Sequence, residues 1–85
     1  MSRQNRITVR VKLFATLRRY FPELGVGEVM EVQLPEGATV GDLVRHLRIP
    51  AEHVKVVFVN GIVRDETHPL ADGDEVGVFP PVGGG

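Results

Sequence analysis

The sequence contains no cysteine. Disulfides, thiolate metal sites and cysteine nucleophiles are therefore excluded. No apolar run approaches the ~20 residues needed to span a bilayer, and no signal peptide is visible, so a soluble, cytoplasmic protein without membrane attachment is expected. A dominant charge is missing too. With 10 basic and 11 acidic residues the net charge is −1, which gives no global field to attract nucleic acid. There is no Ser-His-Asp arrangement, phosphate loop or dinucleotide fingerprint, so no catalytic apparatus and no bound cofactor are expected in the chain itself. His46, His53 and His68 share no short ligand spacing and have no thiolate partners, which argues against a metal. Asp72 and Asp74 flank Gly73 as turn residues, and a calcium loop needs more oxygen ligands than they supply.

What is present fits one small domain. At 85 residues the chain has room for a thin core and little volume for an enclosed site. Its 42% hydrophobic and 25% charged residues are ordinary for a globular protein and argue against disorder. The charges are segregated along the chain. Arg3, Arg6, Arg10, Lys12, Arg18 and Arg19 precede the first acid, Glu23, whereas Asp65, Glu66, Asp72, Asp74 and Glu75 cluster late. If the first and last strands are neighbours, the two sets partly neutralise each other.

Ile7, Val9, Val11 and Leu13 alternate with polar residues, the two-residue period of a half-buried strand. Residues 15–21 suit a short helix in which Leu17, Tyr20 and Phe21 share a face. Pro22, Gly25 and Gly27 mark a loop, after which Met30, Val32 and Leu34 alternate as a second strand that Pro35-Glu36-Gly37 ends. Thr39 and Asp42 stand in a capping-box relation, and Val40, Leu43, Val44 and Leu47 form one helical stripe that Pro50 is expected to stop. Val54 to Val59 reads as a strand covered on both faces. Asn60-Gly61 reads as a tight hairpin turn into Ile62-Val63-Arg64, and Glu75 to Phe79 as the last strand. This order predicts an α+β sheet packed on one main helix, with a β-grasp one of several compatible architectures.

After Phe79 the sequence reads Pro80-Pro81-Val82-Gly83-Gly84-Gly85. Two prolines cannot continue a hydrogen-bonded strand, so residues 80–85 are expected to project as a tail from a domain of residues 1–79, whose residues 1–6 are expected to be flexible. Six extended residues reach roughly 20 Å. Glycines without β-carbons let a terminal carboxylate thread a narrow channel, and an ionised carboxylate becomes electrophilic only after activation, typically to an acyl-adenylate. Sulfur replacing the adenylate yields a thiocarboxylate. A glycine-rich end is also compatible with simple fraying.

The run from His68-Pro69-Leu70 through Asp72-Gly73-Asp74-Glu75-Val76 and Phe79-Pro80-Pro81-Val82 to Gly84-Gly85 resembles the end of the MoaD family, the small subunit of molybdopterin synthase. Val11-Lys12-Leu13-Phe14-Ala15 with Leu17-Arg18 resembles that family's first strand and helix. Leu34 to Val40 with Asp42-Leu43 resembles its helix start. The likeness runs from about Ile7 to Gly85; a third glycine at Gly83 and the first six residues depart from the family pattern.

The resemblance implies a ubiquitin-like β-grasp, a mixed five-stranded sheet on one main helix plus a short helix after the first strand. It implies a sulfur carrier in molybdenum cofactor biosynthesis, with Gly85 as the reacting residue and Gly84 before it. It also implies an E1-like (MoeB-like) adenylating enzyme that uses ATP, a sulfur donor such as a sulfurtransferase, and a MoaE-like large subunit. Phe14, Val63 and Phe79, with Pro80, Pro81, Val82 and Gly83, fall on partner-binding positions. Phe14 and Phe79 read equally well as core residues. The alternatives are a carrier for another pathway (tungsten cofactor, thiamine, cysteine or tRNA), a ubiquitin-like protein modifier, or a plain interaction module.

Overall fold

Strand β1, Arg6–Leu13, buries Ile7, Val9, Val11 and Leu13 and turns Thr8, Arg10 and Lys12 to the opposite face, as its two-residue period requires. The computed structural model describes residues 5–81. β1 pairs antiparallel with β2, Val29–Pro35, in the register Ile7↔Leu34, Val9↔Val32 and Val11↔Met30, so the apolar sets of both strands share one face. Its other edge pairs in parallel with β5, Glu75–Phe79, which in turn pairs antiparallel with β3, Val56–Val59. β4, Ile62–Arg64, closes the sheet, giving the order β2-β1-β5-β3-β4. The first and last strands are thus neighbours. Arg10 lies 4.0 Å from Glu75 across that pair, the meeting of basic and acidic sets that the charge pattern anticipated.

Helix α1, Val40–His46, buries Val40, Leu43 and Val44 in the same core as the inward strand residues. Each such side chain stabilises the fold by about 1.5–3 kcal/mol. The capping box forms: the Thr39 hydroxyl accepts from the Asp42 N–H at 3.2 Å and the Thr39 N–H donates to Asp42 at 2.9 Å. The helix ends before Pro50, contrary to expectation. Leu47 caps it, and Arg48 turns to φ 61°. The Arg48 N–H donates to the Arg45 carbonyl and the Ile49 N–H to the Val44 carbonyl, with Val44 and Ile49 both buried. That is a Schellman ending with arginine in glycine's usual place.

The short helix after β1 is a 3-10 helix, Ala15–Tyr20, with Leu17 buried and Tyr20 and Phe21 packed partly against the core. Its Tyr20 hydroxyl hydrogen-bonds His53 Nδ1 at 2.6 Å, tying it to a second 3-10 turn, Ala51–His53.

The strand expected over Val54–Val59 starts at Val56 and is not covered on both faces. Val57 and Val59 are buried under the helix, while Val56 and Phe58 are half-buried on the uncovered side. Phe58 is apolar there because it meets another aromatic, Phe79, edge-on. The turn at Asn60-Gly61, φ 52° and 85°, is the two-residue hairpin its residues imply.

The late acidic residues act on backbone. Asp72 accepts the Thr8 N–H at 2.8 Å, Asp74 accepts the Ala71 N–H at 2.8 Å, and Asn60 bridges the Asp74 carboxylate and the Glu75 N–H. Met1–Gln4 and Val82–Gly85 lie outside the described residues, so the expected tail is followed here only through Pro80 and Pro81; Arg6 opens β1.

Candidate functional site

The face of the sheet turned away from α1 carries the candidate site. Lys12 from the end of β1, Gly77 and Phe79 from β5, Phe58 from β3 and Val63 from β4 fall on it by register, and Phe14, the residue after β1, joins them through its ring. The Phe14 and Phe79 rings stack with centroids 4.1 Å apart and planes 6° from parallel. Phe58 meets Phe79 edge-on at 5.3 Å and 70°, so the three rings form one cluster of a stacked pair and an edge-on pair.

Gly77 makes this possible. A β-carbon there would come within 3.2 Å of Phe14 and 3.5 Å of Phe79, so the rings lie where a side chain would stand. The rings are half-buried, and Val63 beside them is 57% exposed. Phe14 and Phe79 are outside the main core cluster, which removes the reading of them as core residues. A shallow depression of about 320 Å³ runs along this face past Lys12, Phe14, Val29, Phe58 and Gly77.

Three of the residues singled out by sequence, Phe14, Val63 and Phe79, thus gather on one surface. Pro80, half-buried, and Pro81, exposed, follow directly from β5 and place the start of the tail beside the aromatic cluster. Val82, Gly83, Gly84 and Gly85 lie outside the described residues. Sequence reasoning missed Phe58, Gly77, Val29 and Lys12. Phe58 and Gly77 are readable only once the β3–β5 register sets them opposite one another.

Among the described residues no three His, Asp or Glu side chains gather to hold a metal, and no helix is long and apolar enough to cross a membrane. Two carboxyls elsewhere are held below their usual range. For Asp42 the cause is the Thr39 backbone hydrogen bond, then Arg45; for Asp65 it is the Thr67 hydroxyl and backbone, then His68.

A domain of this shape, with an apolar patch beside a strand that leads into its carboxy-terminal segment, is a ubiquitin-like β-grasp protein. Residues 11–85 match the model of the ThiS family, and the chain belongs to that family, within the MoaD/ThiS superfamily. It is a small ubiquitin-like protein of the sulfur-carrier or protein-modifier kind.

A Pyrococcus furiosus protein described as molybdopterin converting factor, subunit 1, is 34% identical over 89% of this chain and 99% of its own, with a TM-score of 0.71. Haloferax volcanii small archaeal modifier protein 1 is 28% identical over 89% of this chain and 99% of its own, also with a TM-score of 0.71. The complex of subunits 1 and 2 of the molybdopterin-converting factor from Helicobacter pylori contains a chain 21% identical, covering 93% of this chain and 100% of its own at a TM-score of 0.59, a likeness of fold. No curated protein matches the sequence.

Proposed function

We propose that this chain is the sulfur-donating subunit of a molybdopterin synthase-type pair, with the Gly85 carboxyl as its reactive group. The observation that carries the reading is the half-exposed Phe14–Phe79–Phe58 cluster, with Val63, gathered around the end of β5, the strand that runs into residues 80–85. Apolar area at that position is worth burying on a partner before Gly83, Gly84 and Gly85 enter its active site, and the three rings supply rigid anchors for it. The similarity to a converting-factor subunit 1 over nearly the full length supports the same reading.

The chemistry follows from the carboxylate. Its oxygen attacks the α-phosphorus of ATP held by an E1-like enzyme, pyrophosphate leaves, and the acyl carbon becomes electrophilic. A sulfurtransferase persulfide then attacks the acyl carbon and AMP leaves, and a thiol cleaves the resulting acyl disulfide, freeing the thiocarboxylate and leaving with the sulfurtransferase sulfur as a disulfide. A MoaE-like subunit accepts the tail and takes its sulfur into the dithiolene of molybdopterin. The chain contributes position and the acyl group, and ATP stays on the partner.

A second reading is favoured by the likeness to a small archaeal modifier protein. There the same adenylate is attacked by a lysine amine, AMP leaves and an amide forms. Incubation with the E1-like enzyme, ATP and a sulfur source, read by intact mass, is the test. Replacement of one oxygen by sulfur supports the carrier, and conjugation to other proteins supports the modifier. Deleting Gly84-Gly85, or adding a residue after Gly85, is expected to abolish sulfur uptake with the fold intact. An extended chain that still supports cofactor synthesis refutes the carrier mechanism.

A further inference from the structure

Two cations on β1 share the uncovered face, and the sheet treats them differently. Arg10 faces Glu31 on β2 and Glu75 on β5, and its guanidinium lies 3.9 Å from the first carboxylate and 4.0 Å from the second. Lys12, one pleat further on, faces Val29 on β2 and Gly77 on β5. Among the described residues no carboxylate lies within ion-pair distance of it. Lys12 is half-buried, and it lines the same depression as Phe14, Val29, Phe58 and Gly77. Register places Val29, Lys12, Gly77, Phe58 and Val63 in one row across all five strands.

A partner seated on the aromatic cluster must therefore also cover Lys12. In the free chain the ammonium keeps its water by extending along the apolar floor. Once covered it loses that water, and an ammonium left dehydrated and unpaired opposes binding. Among the described residues the acids facing this part of the sheet, Glu31 and Glu75, already lie against Arg10. We infer that Lys12 is a specificity residue of the docking face, read by a carboxylate that the tail-receiving partner protein places beside the aromatic cluster, in a depression that Arg10 and Glu75 also line. The inference rests on the docking role proposed above and adds the chemistry of the partner surface. It also accounts for a lysine in a row of apolar residues and glycine: a single buried charge fixes register and rejects partners that offer only grease or a second cation.

The test is the binding of the full-length chain, and of Lys12→Met, Lys12→Glu and Lys12→Arg, to the E1-like enzyme and to the MoaE-like subunit at low and high salt. Lys12→Met, which keeps the stem and removes the charge, is expected to weaken at least one of these complexes about 10-fold, and Lys12→Glu about 100-fold. Lys12→Arg is expected to bind within a few-fold of the original chain, and the deficit of Lys12→Met is expected to shrink as salt rises. Unchanged thermal unfolding of the variants establishes that the loss is one of recognition. Lys12→Met binding both partners as tightly as the original chain, with the same salt dependence, overturns the inference. So does an original chain that binds neither. Sulfur uptake by the original chain, read by mass, reports on the carrier reading separately, so an irrelevant Lys12 is distinguishable from a wrong function.

Discussion

The Phe14 ring occupies the space above Gly77, with its Cε2 3.2 Å from where a β-carbon would sit. The stacked pair Phe14–Phe79 is therefore set by a missing side chain on β5, two residues before Phe79. Gly77→Val must displace both rings and is expected to cost about 2 kcal/mol in urea unfolding. Gly77→Ala needs the half-exposed Phe14 to give by only a few tenths of an ångström, and the strand gains from losing glycine's freedom, so its cost is expected to be under about 1 kcal/mol. A larger loss for Ala than for Val would contradict this packing.

Stability and docking separate cleanly between Leu43 and Val63. Leu43 is fully buried in the core, and Leu43→Ala is expected to cost about 2–5 kcal/mol. Val63 is 57% exposed, so Val63→Asp is expected to change stability by less than about 0.5 kcal/mol. It places a charge in the proposed docking face, and pull-down with the partner subunit is expected to fail. Full binding by a folded Val63→Asp chain would remove Val63 from that face.

Acid should loosen the helix start and the loop before β5. Asp42 and Asp65 have folded-state pKa values below their unfolded ones, so each contributes stability above the unfolded value and loses it as pH falls through the folded one. Unfolding free energy is expected to decline from about pH 4 downward. Both groups are exposed, so the decline is shallow and salt reduces the Arg45 part of it. In Asp42→Asn plus Asp65→Asn the slope should flatten; an unaltered slope would assign the acid response elsewhere.

Arg48 adopts φ 61° at the Schellman ending, where a β-carbon crowds the following carbonyl. Arg48→Gly relieves that strain at the cost of a freer unfolded chain and is expected to stabilise the protein by about 0.5–1 kcal/mol. Thermal unfolding checks it. A lower melting temperature would mean that the arginine side chain contributes more than its backbone costs.

Period and punctuation made much of the fold legible. The alternation of Ile7, Val9, Val11 and Leu13, the Thr39/Asp42 box and the Asn60-Gly61 turn each encode their structure within a few residues, and each formed. The helix end was misread because Pro50 is the louder signal, while the Val44–Ile49 contact that closes the helix needs three dimensions. Val54 to Val59 misled for a related reason. A run apolar on both sides suggests two covering layers, and here one side is shared among Phe58, Phe79 and Phe14 on a face no helix covers. Phe14, Val63 and Phe79 came from family likeness, whereas Lys12 depended on knowing that Val29 and Gly77, not acids, flank it.

The parallel pairing of β1 with β5 has a mechanical corollary. β5 is hydrogen-bonded along both edges, to β1 and to β3, so tension on its carboxyl end slides a ladder lengthwise instead of peeling it rung by rung. Many bonds then resist at once, and the domain can be tugged by its last strand with little risk of unravelling.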